Sequence, residues 1–328
     1  MRKIVLDMMG GDLGLEATIP AVKRALEEFK DIEFYCIGDE GKLKEAFGDK
    51  VKIVKSSEVM KMDVDVMSAL RNENTSMYVG IKTAMEIKAD CFVTCGSTGG
   101  LLSLATVKVR NIPGIKRAAL CSQIPNLKGG YTFCLDVGAS TENSPEEINA
   151  FANMGSLFYK LVLKGSDNPR VGLLSNGAEA HKGTPNIIKA HEVLEQNKSI
   201  NFIGNVEPGS PMTGEVDVIV SDGFSGNVMV KSLEGTVQVM KKLIKKIFTT
   251  NAVTKFGYLF EKKALNKTLK GFSSHEVGGA VLLGPNMNIV KGHGNSDEAS
   301  FFGSIRLGVK LANSDLIDKI KEGINEKK

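Results

Sequence analysis

Polar side chains that can bind an anion recur in six loops, each of which places glycine beside Asp, Ser, Thr or Asn directly after a short apolar run. Glycine lets the backbone approach a ligand closely, and the unpaired N–H groups at the start of a following helix attract phosphate. The loops therefore predict a site for a phosphate-like anion. The residues expected to contact substrate or phosphate are Asp7, Gly10, Gly11, Asp12, Gly96, Ser97, Thr98, Gly99, Asp136, Asn176, Asp222, Ser225 and Gly226.

Some of the histidines and aspartates have types and positions that suit acid–base or metal chemistry. His293 follows a predicted strand and stands between two glycines, so it is the best candidate for a general acid or base. His191 falls inside a helical pattern and is expected to be structural. The strand-end aspartates could hold Mg²⁺, but an Asp at such a position more often caps the next helix. Without an HExxH motif or a Cys/His cluster, we expect neither a metal nor a cofactor.

Several common catalytic motifs do not occur in the chain. There is no GxGxxG run before a helix and no GxxxxGK[ST] run, which disfavours dinucleotide and P-loop nucleotide binding. There is also no GxSxG elbow, and no cysteine has an activating neighbourhood, which disfavours a covalent acyl-enzyme. If phosphate is itself the nucleophile, the protein needs only to orient two substrates and to stabilise a developing oxyanion.

The elements that must position these loops alternate between short apolar runs and helical patterns. Runs such as Ile4–Leu6 and Cys91–Thr94 predict buried strands, while 76–88 and 98–110 have helical spacing. Alternation of this kind predicts an α/β fold with a mostly parallel sheet, and in such a sheet we expect the six loops to meet at one edge. Apolar spacing is least regular over 55–75 and 250–278.

Composition is that of a soluble globular protein, with 42% hydrophobic and 24% charged residues in 328. The net charge of +4 is concentrated in 241–270, which holds nine lysines and one glutamate. The rest of the chain is net acidic, so we expect no nucleic-acid partner. Five cysteines lie in or beside apolar runs without a CxxC pair, and the first residues enter a strand directly. We therefore expect free thiols, no signal peptide and a cytoplasmic location.

Taken together, the loop sequences resemble those of the PlsX family, the phosphate:acyl-acyl-carrier-protein acyltransferases of bacterial phospholipid synthesis. The resemblance extends from about Lys3 to Leu311. The motifs that carry it are MGGD at 9–12, GSTGG at 96–100, DVGAS at 136–140, NGAEAHKG at 176–183, INFIGNVE at 200–207, DGFSGNV at 222–228 and HGNSD at 293–297.

The resemblance implies that acyl-acyl-carrier protein and inorganic phosphate react to acyl-phosphate. It further implies a three-layer α/β/α fold like that of isocitrate dehydrogenase and phosphotransacetylase, a homodimer, and peripheral association with the inner face of the cell membrane. We expect a single catalytic unit over 1–328. The family lysine and asparagine fall on Lys182 and Asn227, which with His293 become the expected catalytic residues.

Three positions depart from the family pattern. Leu13-Gly14-Leu15 stands where a His-Ala-Pro run is usual, and Arg71 is the one base left in a stretch that is usually rich in Arg and Lys. Ser97 replaces the usual Asn of its loop. These departures are consistent with a divergent member whose acyl donor has shifted.

A helical, lysine-rich segment is expected to protrude at about 241–275. Its lysines alternate with large apolar residues, which suits contact with an anionic membrane or with an acidic carrier protein. A solvated lysine face over a core or dimer helix explains the pattern equally well. The residues expected to make the contact are Lys245, Lys246, Phe256, Leu259, Phe260, Lys262 and Lys263.

Three other functions remain open at this stage. A phosphotransacetylase-like enzyme would use the same chemistry with acyl-CoA as donor. A metal- and NAD-dependent hydroxyacid dehydrogenase would share the fold. A non-catalytic membrane scaffold would need none of the polar strand-end loops.

Overall fold

The computed structural model describes residues 1–270 and 278–325. Within them, eleven strands form one continuous sheet. In chain order the strands are β1 (Arg2–Asp7), β2 (Ile32–Gly38), β3 (Lys52–Lys55), β4 (Cys91–Thr94), β5 (Ala119–Pro125), β6 (Tyr131–Leu135), β7 (Arg170–Leu174), β8 (Asn201–Val206), β9 (Val218–Val220), β10 (Ala280–Leu283) and β11 (Ile289–Lys291). Their spatial order is β3-β2-β1-β4-β11-β10-β5-β6-β9-β7-β8.

Most neighbouring strands run parallel, as the alternation of elements predicts. The exceptions are three consecutive antiparallel contacts, β11 with β10, β10 with β5, and β5 with β6. Because of these three reversals, β6, β9 and β7 run opposite in direction to β1, β4 and β11. The carboxyl ends of the two groups of strands therefore lie at the two opposite edges of the sheet that the strand ends form. The expectation that all six loops meet at one edge is wrong.

Helices connect the strands and cover both faces of the sheet. They are α1 (Leu15–Glu28), α2 (Glu40–Phe47), α3 (Val66–Arg71), α4 (Ser76–Glu86), α5 (Thr98–Leu104), α6 (Pro145–Leu161), α7 (Pro185–Gln196), α8 (Gly223–Thr249), α9 (Ala252–Lys270), α10 (Glu298–Ala312) and α11 (Leu316–Asn325). The helix predicted over 98–110 ends as α5 at Leu104, and a π-helical turn (Ala105–Val109) follows it.

Side-chain alternation along the strands divides the core between the two faces of the sheet. One face carries a single apolar cluster that includes Leu6, Val93 and Phe133 and is covered by α1, α10, α6 and α7. The other face carries two separate clusters, one under α4 and α5 and the other under the first turns of α8. Helices on both sides of one sheet make the predicted three-layer arrangement.

The lysine-rich region forms the end of α8 and the whole of α9. The buried residues of α8 end at Val230, and α9 packs on α8, where the rings of Phe248 and Tyr258 lie 5.3 Å apart. The predicted helical segment is thus found as far as Lys270, while its last predicted residues, 271–275, lie outside the described part of the chain.

Candidate active site

The loops after β1, β4 and β11 pack together at one edge of the sheet. The Asp12 N–H donates to Gly294 O at 2.7 Å, and Thr94 Oγ1 donates to the Asp7 carboxylate at 2.7 Å. A Cβ on Gly10 would lie 2.8 Å from Gly96 N, so this contact requires glycine. The predicted residues in this group are Asp7, Gly10, Gly11, Asp12, Gly96, Ser97, Thr98, Gly99 and His293.

Within this first group, two predicted contacts hold the loops themselves. Asp7 is buried and also accepts from the N–H groups of Met9 and Gly10 at 3.2 and 3.1 Å; burial raises its pKa. Ser97 is buried too, where its hydroxyl accepts from Gly100 N–H and donates to the carbonyl of residue 62. Asp12 and Gly99 are exposed and Thr98 is half-buried, so these three have surface that a ligand can reach.

The loops after β6, β7 and β9 meet at the opposite edge around the buried carboxylate of Asp136. This carboxylate accepts from the N–H groups of Leu120, Gly138, Ala139 and Ser140 and from the Ser140 hydroxyl. Burial raises the pKa of Asp136. The carboxylate therefore shapes the loop from inside and does not face solvent.

The start of α8 is fitted tightly against the Asp136 loop. Asp222 caps the helix by accepting from Ser225 N–H at 2.8 Å, and Gly226 lies directly against Asp136 O, where no side chain would fit. Asn227 follows on the exposed side of the helix. A Cβ on Gly138 would lie 3.2 Å from Asn227 Nδ2, so the amide stands beside the Asp136 loop.

The loop after β7 carries Lys182 and the exposed Asn176. The stem of the half-buried Lys182 lies over Gly177, with Cγ 3.1 Å from where a Cβ on Gly177 would be. Asn205 anchors the loop, donating to Glu179 O at 2.9 Å and meeting His191 Nδ1 at 2.9 Å. His191 is buried, so it has the structural role expected from its helical position.

The loop after β7 is also tied to the Asp136 loop, because Asn186 at the start of α7 donates to Asn143 O. Asn143 Oδ1 in turn accepts from Gly223 N–H at 3.1 Å. The structure therefore brings Lys182, Asn176, Asp136, Asp222, Ser225, Gly226 and Asn227 to one edge. It leaves His293 with the group at the other edge.

A cavity of about 380 Å³ lies along α8, between that helix, β5 and the loop after β11. Its walls include Ser122 and Ile124 of β5 and Lys231 of α8, and His293 lines it from the other side. Lys231 lies one helical turn beyond Asn227. The cavity thus lies beside the His293 group of loops, and α8 links it to Asn227 through Lys231.

Comparison with known proteins identifies relatives of this chain. Residues 2–319 match the model of a family described as fatty acid synthesis protein. The chain belongs to this family. Its relatives include the phosphate acyltransferase of Ligilactobacillus salivarius (strain UCC118), 36% identical over 99% of both chains. Another is the phosphate acyltransferase of Streptococcus pneumoniae (strain JJA), 38% identical over 97% of both. The family resemblance drawn from the loop motifs is confirmed.

Solved structures confirm the fold expected of this member of the fatty acid synthesis protein family. A phosphotransacetylase from Streptococcus pyogenes aligns with a TM-score of 0.62 at 15% identity, covering 94% of this chain and 93% of its own. A branched-chain phosphotransacylase from Enterococcus faecalis V583 aligns with a TM-score of 0.57 at 15% identity, covering 95% and 99%. At this identity the likeness concerns the fold alone.

The lysine-rich helices of this family member present apolar side chains to solvent. Phe256, Leu259 and Phe260 of α9 are 62%, 68% and 73% exposed, and the rings of Phe256 and Phe260 meet edge to face with centroids 5.2 Å apart. The predicted contact lysines, Lys245, Lys246, Lys262 and Lys263, are exposed on the same pair of helices. No helix within the described ranges is long and apolar enough to span a bilayer.

Two lysines near the cavity were not predicted from the sequence. Lys231 lines it, and Lys291, the last residue of β11, is buried close to it. A lysine that ends an apolar strand directly before a glycine-rich loop was a signal that could have found Lys291. Over residues 1–270 and 278–325, no group of three His, Cys, Asp or Glu side chains could hold a metal ion.

Proposed function

We propose that this chain is a phosphate acyltransferase, which transfers a fatty acyl group from a thioester to inorganic phosphate and so supplies phospholipid synthesis with acyl-phosphate. The names of its relatives support this reaction. The structural observation that carries it is the exposed Asn227 amide at the start of α8, at the same sheet edge as Lys182 and beside a loop fixed by Asp136.

In the proposed reaction, a phosphate oxygen attacks the thioester carbonyl carbon. The carbonyl becomes an oxyanion, the C–S bond then breaks, and the departing thiolate takes a proton. Asn227 donates a hydrogen bond to the oxyanion, and Lys182 neutralises charge on phosphate or on the carbonyl. Donors that are already in place when charge develops stabilise such a transition state most effectively.

Direct attack by phosphate agrees with the state of the cysteines, because all five are buried. Burial raises the pKa of Cys95 to about 11 and the pKa of Cys121 well above its ordinary value. Thiols of this kind are poor nucleophiles. The proposed general acid for the departing thiolate is His293, which lines the cavity.

The proposed acyl donor is acyl-acyl-carrier protein, and acyl-CoA is the alternative that the phosphotransacetylase-like fold keeps open. The deciding experiment measures phosphate-dependent thiol release and acyl-phosphate formation with both donors under matched conditions. We expect kcat/KM to be higher with the carrier-protein thioester. A preference for acyl-CoA would support the alternative, and thiol release without need of phosphate would contradict the proposed reaction.

We also propose that the enzyme acts in the cytoplasm, on the inner face of an anionic membrane, and as a homodimer. The exposed aromatic residues of α9 with their lysines support the membrane contact. Leu243 and Ile247 of α8, 48% and 60% exposed, offer an apolar face for a second copy. Sedimentation equilibrium tests the dimer, and a monomer at all concentrations would contradict it. Phosphate-dependent turnover itself would exclude a purely non-catalytic scaffold.

A further inference from the structure

Lys291 is a buried lysine at the end of a central strand of the sheet. It follows Ile289 and Val290 in β11 and is paired with Ala280 of β10 and Thr94 of β4. Because side chains alternate along a strand, Lys291 points to the same face as Ile289, which is the face that α8 also covers. Its side chain is only 7% exposed.

The surroundings of Lys291 provide little negative charge. Its Nζ donates to Gly292 O, and none of the carboxylates in the described ranges lies within ion-pair distance of it. Cys95 is close by, but its raised pKa keeps the thiol neutral. The nearby Asp7 carboxylate is engaged by Thr94, Met9 and Gly10.

A second lysine makes this environment more unfavourable for a buried cation. Burial lowers the pKa of Lys291, and the positive charge of Lys231 lowers it further. A buried, unpaired charge is costly to a fold. The Lys291 ammonium group donates to Gly292 O and keeps two further N–H donors for another partner. Lys231 is ion-paired with Glu234 at 3.2 Å, so an anion placed between Lys231 and Lys291 would compete with that carboxylate, reduce the repulsion and use the remaining donors of Lys291.

We propose that Lys291 and Lys231 form the binding site for inorganic phosphate, with His293 at its rim. This inference rests on the proposed function, which makes phosphate the acyl acceptor. Lys231 and His293 line the same cavity, and Lys231 is four residues beyond Asn227, about 6 Å along the helix axis. In the proposed reaction, a phosphate held there would attack the thioester carbonyl that Asn227 polarises.

The first test measures phosphate binding without turnover. Thermal unfolding of the full chain is followed with increasing inorganic phosphate, for the natural protein and for Lys291→Met. Phosphate should raise the Tm of the natural protein in a concentration-dependent way and leave that of Lys291→Met nearly unchanged. Methionine has a similar length without the charge, so the variant should fold. Equal Tm shifts in both proteins would overturn the proposal.

The second test measures turnover. It distinguishes a site for inorganic phosphate from a site for the phosphodiester group of a carrier-protein or CoA arm. Lys291→Met and Lys231→Met should each raise the KM for phosphate about tenfold or more, with the KM for the acyl donor unchanged. A rise in donor KM alone would overturn the assignment to inorganic phosphate. Lys231 is exposed, so Lys231→Met should fold and can test the proposed site even if Lys291→Met folds poorly.

Lys3→Met is the matched control. Lys3 is half-buried and its Nζ donates to Ile87 O at 3.4 Å, at the start of β1 and away from the cavity. It should leave phosphate stabilisation and KM unchanged. The two proposals can fail separately. If phosphate stabilises the protein through Lys291 but no phosphate-dependent thioester cleavage is found, the anion site is supported and the proposed function is contradicted.

Discussion

At the scale of residues, polar groups in the loops divide between those that hold the loops and those that face a ligand. Asp7 and Asp136 are buried and accept several hydrogen bonds from their own loops. Asn227 is exposed and Lys182 half-buried at one converged edge. Sequence type alone cannot separate the two sets, because Asp after a strand suits both a ligand contact and a loop brace.

The first residue-scale prediction concerns the two proposed catalytic groups. Asn227→Ala should lower kcat about 10²- to 10³-fold, the loss typical of one oxyanion donor. Lys182→Ala should remove most turnover as well. Since Asn227 is exposed and Lys182 half-buried, unfolding temperatures should stay close to that of the natural protein.

The controls for these variants are exposed residues of the same types away from the proposed contacts, Asn168→Ala and Lys189→Ala. Both should keep normal steady-state kinetics. A near-normal kcat/KM in Asn227→Ala or Lys182→Ala would mean that the catalytic centre lies elsewhere.

The second residue-scale prediction concerns stability and pH at Lys291. Burial lowers the pKa of this lysine below its ordinary value of 10.5, so the unfolded chain binds the proton more tightly than the folded one. Stability of the natural protein should therefore rise with pH on approach to 10.5. At neutral pH, Lys291→Met should be more stable by about 1–3 kcal/mol.

Urea unfolding at several pH values checks this prediction. The gap between Lys291→Met and the natural protein should narrow as pH rises, because the natural lysine loses its charge. A gap that is constant or widens with pH would show that the ammonium group is not the source of the difference.

At the scale of elements, the start of α8 fixes where Asn227 stands. Asp222 caps the helix by accepting a hydrogen bond from Ser225 N–H. Replacing such a cap by Ala lowers the free energy of unfolding by about 1 kcal/mol. Asp222→Ala should therefore lower both stability and turnover. Asn is as good a cap as Asp, so Asp222→Asn should restore both if the role is capping.

Asp39→Ala supplies the control for the Asp222 variants. Asp39 caps α2 by accepting from Lys42 N–H at 2.9 Å, on the other half of the sheet. It should lose similar stability and keep normal turnover per folded molecule. Loss of turnover in Asp222→Asn, with stability intact, would instead indicate a direct ligand contact by the carboxylate.

The exposed aromatic residues of α9 support a prediction about membranes. Replacing Phe256, Leu259 and Phe260 by Ser should strongly reduce flotation with anionic vesicles, because the buried apolar area is lost. These side chains are largely exposed, so folding should be unaffected. Leu127→Ser, at a position 76% exposed on the turn between β5 and β6, is the control and should float normally. Unchanged flotation of the triple variant would contradict a membrane role for α9.

The elements that were predictable from the sequence bury more of their apolar side chains than the elements that were not. Strands β1 and β4 contain the buried apolar runs 4–6 and 91–93 and were predictable. Helix α9 shows weak spacing because its large apolar residues, including Phe256 and Leu259, face outward, and periodicity reports a buried face. Helix α3 has only six residues, too few to establish a helical period.

At the scale of the whole molecule, the direction of the strands was the main feature that local pattern did not predict. Apolar runs look alike in parallel and antiparallel strands. The short connection Asn126–Gly130 between β5 and β6, with its two glycines, is a hairpin signal that could have indicated the reversal. Lys182 and Asn227 are far apart in sequence, so the prediction that both belong to the catalytic site came from the family resemblance and not from local pattern.

The uneven charge of the molecule supports the last prediction. The nine lysines of 241–270 stand out against a net acidic remainder, and an acidic carrier protein would be attracted to them. Such attraction is screened beyond about 10 Å at 0.1 M salt. In an assay without membranes, the KM for acyl-carrier protein should therefore rise several-fold as NaCl increases, while kcat changes little.

Charge reversal locates that attraction on the molecule. Lys245→Glu with Lys246→Glu should raise the KM for acyl-carrier protein at low salt and flatten its dependence on NaCl, because the added acids repel the partner. Lys50→Glu with Lys52→Glu makes the same change of charge on exposed residues at the other end of the sheet. If net charge alone mattered, both double variants would behave alike. A selective effect of the α8 pair is the expected result, and identical salt dependence in the two would place carrier-protein contact outside the lysine-rich helices.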